Sequence, residues 1–210
     1  MAARFTLHGL WLSGPTYKVG LMLALCGEPF NYVHVNLREG EHKKPGYLEI
    51  NRYGQVPCLM DGDRSFCQSA SILQYLAETL GKFDGKDAIE RARIREWMFW
   101  DFDRLAPNIY RSRAVRLGFR SLDDNVVAMH ANDGKVALDV LNTELGKGPW
   151  LVGSNCTIAD IDVYGVVAYA EEGGFDLSAY PHVMAWKSRF EAQPGFKPIR
   201  ELLPQESKAA

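Results

Sequence analysis

Apolar and polar positions along this chain change period several times, and the changes divide it into elements. Residues 4–8 read as a short strand, and after Ser13-Gly-Pro the apolar positions Val19, Met22, Leu23 and Cys26 recur at helical spacing. Ser13 is placed to cap that helix, and Pro15 fits its first turn because the missing N–H has no partner to lose there. Val33, Val35 and Leu37 alternate with His34 and Asn36, the period of a half-buried strand. The polar stretch from Gly40 to Tyr53, broken by Pro45 and Gly46, predicts a loop with at most a short helix. Two strand-like runs, 57–60 and 64–66, then flank Asp61-Gly62, a dipeptide suited to a tight hairpin. Ser69 opens a helix with Ile72, Leu73, Leu76 and Leu80 on one face, stopped by Gly81.

Beyond the polar linker from Lys82 to Lys86 no strand pattern returns. Ile94, Met98, Phe102, Leu105 and Ile109 form a stripe on a long helix that Pro107 is expected to bend, and Leu138, Leu141 and Leu145 form another. The aromatic cluster Trp97, Phe99, Trp100 and Phe102 is expected in the core. Thr157-Ile-Ala-Asp160 is a capping box that opens a helix through about Tyr169, and two last helices are expected near Pro181 and Phe196. The pattern is α/β plus all-α: a βαβ-ββα domain over 1–81, a linker over 82–87 and a helical-bundle domain over 88–210.

Composition adds exclusions. Apolar residues make up 47% and charged residues 24%, ordinary globular usage, and a formal net charge of −2 with dispersed charges gives no support to a nucleic-acid or membrane-surface partner. The most basic stretch, Arg111 to Arg116 with Arg120, reads as a solvated helix face. Neither a signal-peptide pattern nor a bilayer-length apolar run is present, which predicts a cytoplasmic location. Cys26, Cys58, Cys67 and Cys156 show no CxxC spacing and no His-rich neighbourhood, so neither a metal site nor a dithiol redox motif is expected and all four read as buried, reduced thiols. Cys58 and Cys67 fall in strand patterns and are expected to pack as small apolar side chains.

Five motifs occur in a fixed order: Leu12-Ser-Gly-Pro-Thr-Tyr-Lys-Val19, Gly40-Glu-His-Lys-Lys44, Asn51-Arg-Tyr-Gly-Gln-Val-Pro57, Gln68-Ser69, and Trp150-Leu-Val-Gly153 leading into Thr157-Ile-Ala-Asp160. Together they resemble the cytosolic glutathione transferase superfamily over nearly the whole chain, in particular its serine-type, theta/phi/zeta-like bacterial-style members. The resemblance implies a thioredoxin-like first domain that binds glutathione and a helical second domain contributing the electrophile site.

It also implies roles. Val56-Pro57 is expected to be a cis bond, with the Val56 backbone pairing with the cysteinyl part of glutathione as an added strand. Ser69, with its hydroxyl and a free N–H at a helix start, faces the γ-glutamyl carboxylate. Gln68 stands where the family often has Glu and gives up a charge attraction to the ligand's α-amino group. His42 and Lys43 match positions holding the glycine carboxylate, the alternative being a solvated loop, and Gln55 matches a side chain near the peptide backbone. Ser13 is the candidate catalytic hydroxyl that holds the glutathione thiol as thiolate, with Thr16 as runner-up; capping and catalysis draw on the same Ser13 oxygen. His8 stands where tyrosine-type classes would place their phenol, and Ser13 where a cysteine-type class would place its thiol. Trp11, Leu12 and Tyr110 are candidate walls for a small hydrophobic electrophile.

The implied activity is glutathione transfer to an electrophile, with isomerisation or dehalogenation as variants and detoxification as the setting, in a homodimer using glutathione as cosubstrate and no metal. Two other readings stay open: a carrier of apolar ligands and a protein-interaction module. Arg52 replaces the family's frequent proline and leaves the class within the superfamily open.

Overall fold

Phe5 and Leu7 are wholly buried and alternate with half-buried neighbours, which fixes β1 (Phe5–Gly9) as the central strand of a four-stranded sheet. The computed structural model describes residues 3–207. β1 pairs in parallel with β2 (Phe30–His34) and antiparallel with β3 (Cys58–Asp61), which pairs antiparallel with β4 (Arg64–Cys67), so the order is β2-β1-β3-β4. The second strand lies earlier than the Val33, Val35, Leu37 alternation predicts. Tyr32 is its buried residue, and Val33 and Leu37 are half-buried. Asn36 explains the early end: its Oδ1 accepts the amides of Arg38 and Glu39, a turn that takes the chain off the ladder.

The hairpin turn is also offset by one residue. Asp61 pairs with Arg64, leaving Gly62 and Asp63 as the central positions, with Gly62 at a φ of 59° where a two-residue turn favours glycine.

Helix α1 (Gly14–Cys26) packs against α3 (Ser69–Leu80). The polar stretch between β2 and β3 is more ordered than a loop, with a 3-10 turn at Glu41–Lys43 and α2 (Pro45–Ile50). Tyr47 of α2 forms a small core with Val35 and Cys58.

The second region is helical. α4 (Ala88–Trp100) runs through a π-turn at Asp101–Leu105 into α5 (Ala106–Arg116), followed by α6 (Asp124–Leu145), α7 (Ile158–Val167) and α8 (Pro181–Glu191). The π-turn corrects the expected stripe. Pro107 has no N–H to give the Asp103 carbonyl, and the Ala106 amide bonds Asp101 instead, so the wider turn admits one extra residue. Ile94, Met98, Asp101, Leu105 and Ile109 are buried, while Phe102 is 71% and Phe99 69% exposed, with Trp97 and Trp100 half-buried. The aromatic cluster is therefore not core.

The basic stretch is not wholly solvated either. Arg113 is buried, with Nε 2.7 Å from Glu172 and its guanidinium 4.1 Å from the centre of the Tyr169 ring. The capping box forms as expected, and its Asp160 also accepts from Leu151 N–H and from Trp186 Nε1.

Contacts divide the chain into two compact units, one running to Lys82 and resuming at Gln193, the other Phe83–Ala192. The resumed segment holds α9 (Ile199–Leu202), which starts after Pro198 and not at Phe196, and places Leu202 and Leu203 against Gly20 of α1. The Tyr17 hydroxyl, on α1, donates to the Lys197 carbonyl, which further ties this segment to the first unit. No described helix is long and apolar enough to cross a membrane.

Candidate functional site

Strand register brings three separated segments to one end of the sheet. His8, near the end of β1, pairs with Cys58, the first residue of β3, and Cys58 pairs with Cys67, the last residue of β4. The residues that leave β1 (Leu10 to Ser13), those that enter β3 (Gly54 to Pro57) and those that leave β4 (Gln68 and Ser69) thus emerge together. These are segments the sequence singles out.

Val56-Pro57 is a cis peptide bond. The turn before it is held from below: Tyr47 Oη and Asn51 Nδ2 each donate to the Gln55 carbonyl at 2.6 Å, and Asn51 Nδ2 lies 3.4 Å from the Pro57 carbonyl. Asn51 is 1% exposed, a buried amide whose hydrogen bonds all go to this turn and the start of its own loop. The Val56 amide and carbonyl engage no partner among the described residues. Its backbone is open for an extended peptide to pair with.

His42 and Lys43 reach the same turn. Lys43 Nζ donates to the Gly54 carbonyl at 3.0 Å, and a Cβ at Gly54 would sit 2.9 Å from both the His42 carbonyl and Lys43 Nζ. With a φ of 55° as well, position 54 is doubly suited to glycine. The Glu41–Lys43 turn is thus packed onto the turn before Pro57, with Lys43 and Lys44 themselves exposed.

Gln68 has a φ of 68° and is exposed, and its Nε2 donates to Gln55 Oε1 at 3.4 Å. Left-handed backbone in a residue with a side chain is strained, and such strain concentrates at functional sites. It aims Ser69 as the first residue of α3, a helix whose N-terminus has no side-chain cap and no acid in its first turn. Its leading N–H groups are therefore available to an anion.

Ser13 caps α1: its Oγ accepts the Thr16 amide at 3.2 Å. An acceptor role leaves the hydroxyl proton free to donate, so capping and thiolate binding do not compete as the sequence suggests. Thr16 is wholly buried and its Oγ1 lies 3.4 Å from the Leu10 amide. Burial lowers the pKa of His8, whose ring meets Tyr47 edge-on at 6.4 Å. Trp11 and Leu12, beside Ser13, are half-buried. Tyr110 lies in the helical unit, its hydroxyl donating to the Gly165 carbonyl at 2.9 Å.

Sequence reasoning assigned no role to Tyr47 or Asn51. The signal was present in part: Asn51 opens the motif that ends at Pro57, but only the fold shows that its amide reaches forward four residues.

Family models agree with the site and fold. The model described as "Glutathione S-transferase, N-terminal domain" matches residues 15–79 and "Glutathione S-transferase, C-terminal domain" matches 125–194. The chain is 30% identical to "Probable glutathione S-transferase GSTF2" of Oryza sativa subsp. japonica over 96% of its own length and 98% of the relative's. It is 28% identical to "Disulfide-bond oxidoreductase YfcG" of Escherichia coli (strain K12), covering 85% of this chain and 86% of that one. Among solved structures, glutathione S-transferase from Pseudomonas fluorescens [Pf-5] superposes with a TM-score of 0.89 at 32% identity, covering 94% of this chain and 99% of that one. A thioredoxin-like α/β domain joined to a helical one, with a cis-proline turn at the sheet end, defines the class. The chain belongs to the glutathione S-transferase family.

Proposed function

We propose that this transferase binds glutathione at the sheet end described above and that Ser13 holds the bound thiol as a thiolate for attack on a small hydrophobic electrophile. The observation that carries this reading is the register His8, Cys58, Cys67, which puts the Ser13 hydroxyl, the open Val56 backbone and the uncapped start of α3 at one end of one sheet.

Each part of the ligand has a matching partner. The cysteinyl backbone pairs with Val56 N–H and C=O. The γ-glutamyl carboxylate takes the Ser69 hydroxyl and the first amides of α3, and Gln68 accepts from the α-amino group after turning away from Gln55. His42 and Lys43 favour the glycine carboxylate. A free thiol ionises near ~8.5, and lowering that by about two units needs roughly 2.7 kcal/mol. A hydroxyl donor polarised by the Thr16 amide, together with the N-terminal dipole of α1, is of that order. No general base is required. Thr16 lacks exposure for the role, which favours Ser13.

Trp11 and Leu12 are the proposed apolar contacts for the electrophile. Conjugation is the favoured reaction, with isomerisation or dehalogenation using the same thiolate. A homodimer in the cytoplasm fits this family.

Isothermal titration of glutathione into wild type and Ser13→Ala, with conjugation of a generic aromatic electrophile assayed on the same samples, tests the reading. Wild type binds and turns over, and Ser13→Ala binds with most activity lost. Wild type that fails to bind glutathione refutes the reading, and binding without turnover on a panel of electrophiles favours a ligand carrier.

A further inference from the structure

Cys58 and Cys67 face each other across β3 and β4, and we infer that they form a reversible cross-strand disulfide, a redox site at the base of the ligand turn, with Cys67 as the entry thiol and Cys58 as the resolving one.

Geometry supplies the argument. The two residues are direct partners in the antiparallel register, and both sulfurs converge on one acceptor, the Ile50 carbonyl, at 3.4 Å from Cys58 Sγ and 3.7 Å from Cys67 Sγ. Asp61 and Arg64 close the two-residue turn as a hydrogen-bonded pair, and alternation from there makes Cys58 and Cys67 a non-hydrogen-bonded pair, where Cα atoms approach to about 4.5 Å. That lies inside the range of about 4.4 to 6.8 Å that disulfides span, so closure needs side-chain rotation and little backbone movement.

Access is asymmetric. Cys58 is wholly buried, whereas Cys67 is half-buried and lines a cavity of about 460 Å³ with Arg52, Tyr53, Gln68 and Ser71. Burial pushes the Cys58 thiol up to about 12. Burial also raises Cys67, but the influence of neighbouring Cys58 and the charge of Arg52 oppose the rise. Cys67 is therefore the thiol an oxidant meets, and the one better able to ionise.

The reaction balances with a small organic disulfide as oxidant. The Cys67 thiolate attacks one sulfur and releases the first thiolate, which takes up the proton Cys67 lost. Cys58 then loses its proton and attacks Cys67 Sγ, displacing the second thiol. Two cysteines are oxidised and one disulfide is reduced to two thiols. The bond would tie the residue after cis Pro57 to the residue before Gln68. Neither cysteine takes part in the proposed glutathione chemistry, so this site stands or falls separately.

The test treats folded wild type, Cys67→Ser and Cys58→Ala with bis(2-hydroxyethyl) disulfide, then unfolds and alkylates each without reductant and maps the cysteines by mass. Wild type should lose two alkylatable thiols, give a cross-linked peptide pair containing Cys58 and Cys67 with no retained adduct, and recover both thiols on reduction. Cys58→Ala should stop at a mercaptoethanol adduct on Cys67, and Cys67→Ser, a change at the half-buried position, should leave Cys58 unreacted. A wild type that stops at the adduct, or that keeps both thiols while Cys26 or Cys156 reacts, overturns the inference.

Discussion

Gln68 Nε2 donates to Gln55 Oε1 at 3.4 Å, so the residue that precedes α3 holds the side chain that precedes the cis-proline turn. The cis-proline turn and the start of α3 are thereby joined, and the joining residue is held in left-handed backbone. Binding the α-amino group of glutathione would exchange this neutral contact for a charge-assisted one.

Gln68→Gly should therefore stabilise the fold by up to about 1 kcal/mol, since glycine adopts this backbone without strain, while weakening glutathione binding through loss of the amide. Gln68→Ala should weaken binding equally without the gain in stability. Thermal unfolding and titration calorimetry on the two variants check both parts, and equal stabilities would count against the strain.

Asn51 and Tyr47 should matter to the turn out of proportion to their place outside the ligand segments. Asn51→Ala strips a buried donor from the Gln55 and Pro57 carbonyls and should cost about 1–3 kcal/mol, and Tyr47→Phe about 0.5–1.5 kcal/mol. Denaturant unfolding measures the costs. Both variants should also bind glutathione more weakly than an exposed control such as Glu49→Ala, and binding equal to that control would remove the turn from the recognition account.

Asp160 gives a pH dependence in the helical unit. Burial raises its carboxyl to about 6, against the pull of amides from Thr157 and Leu151 and of the Trp186 indole. An unfolded carboxyl ionises near ~3.9, so between that value and about 6 the folded chain keeps a proton that the unfolded chain has lost. The stability contributed by the neutral acid is present at lower pH and lost as pH rises through about 6. Denaturant unfolding at stepped pH should show this decline in wild type and its absence in Asp160→Asn. A slope of opposite sign would mean that the donors outweigh burial.

Much of this is legible in the sequence. The five ordered motifs indicate the family, and the segments around Ser13, Val56 and Ser69 emerge at one end of the sheet because the antiparallel register aligns His8, Cys58 and Cys67. What escaped the sequence was register. The one residue inserted by the π-turn at Asp101–Leu105 turns Phe102 outward from a stripe that a strict helical period would bury, and Asn36 ends β2 earlier than an alternating pattern could reveal. The hairpin turn slipped by one residue for the same reason, since Asp61 is recruited into the ladder opposite Arg64. The burial of Arg113 is not legible because its partner Glu172 is distant in sequence, and neither are the Tyr47 and Asn51 contacts, which depend on how α2 folds under the cis-proline turn.

The ionisation of the bound glutathione thiol tests the central claim most directly. The thiolate absorbs in the ultraviolet, and its absorbance in the binary complex can be titrated with pH in wild type and in Ser13→Ala, with S-methylglutathione complexes as blanks. The account predicts a wild-type thiol about two units below the free value of ~8.5, returning most of the way to it in Ser13→Ala. A depressed value that is unchanged in Ser13→Ala would contradict the role given to Ser13.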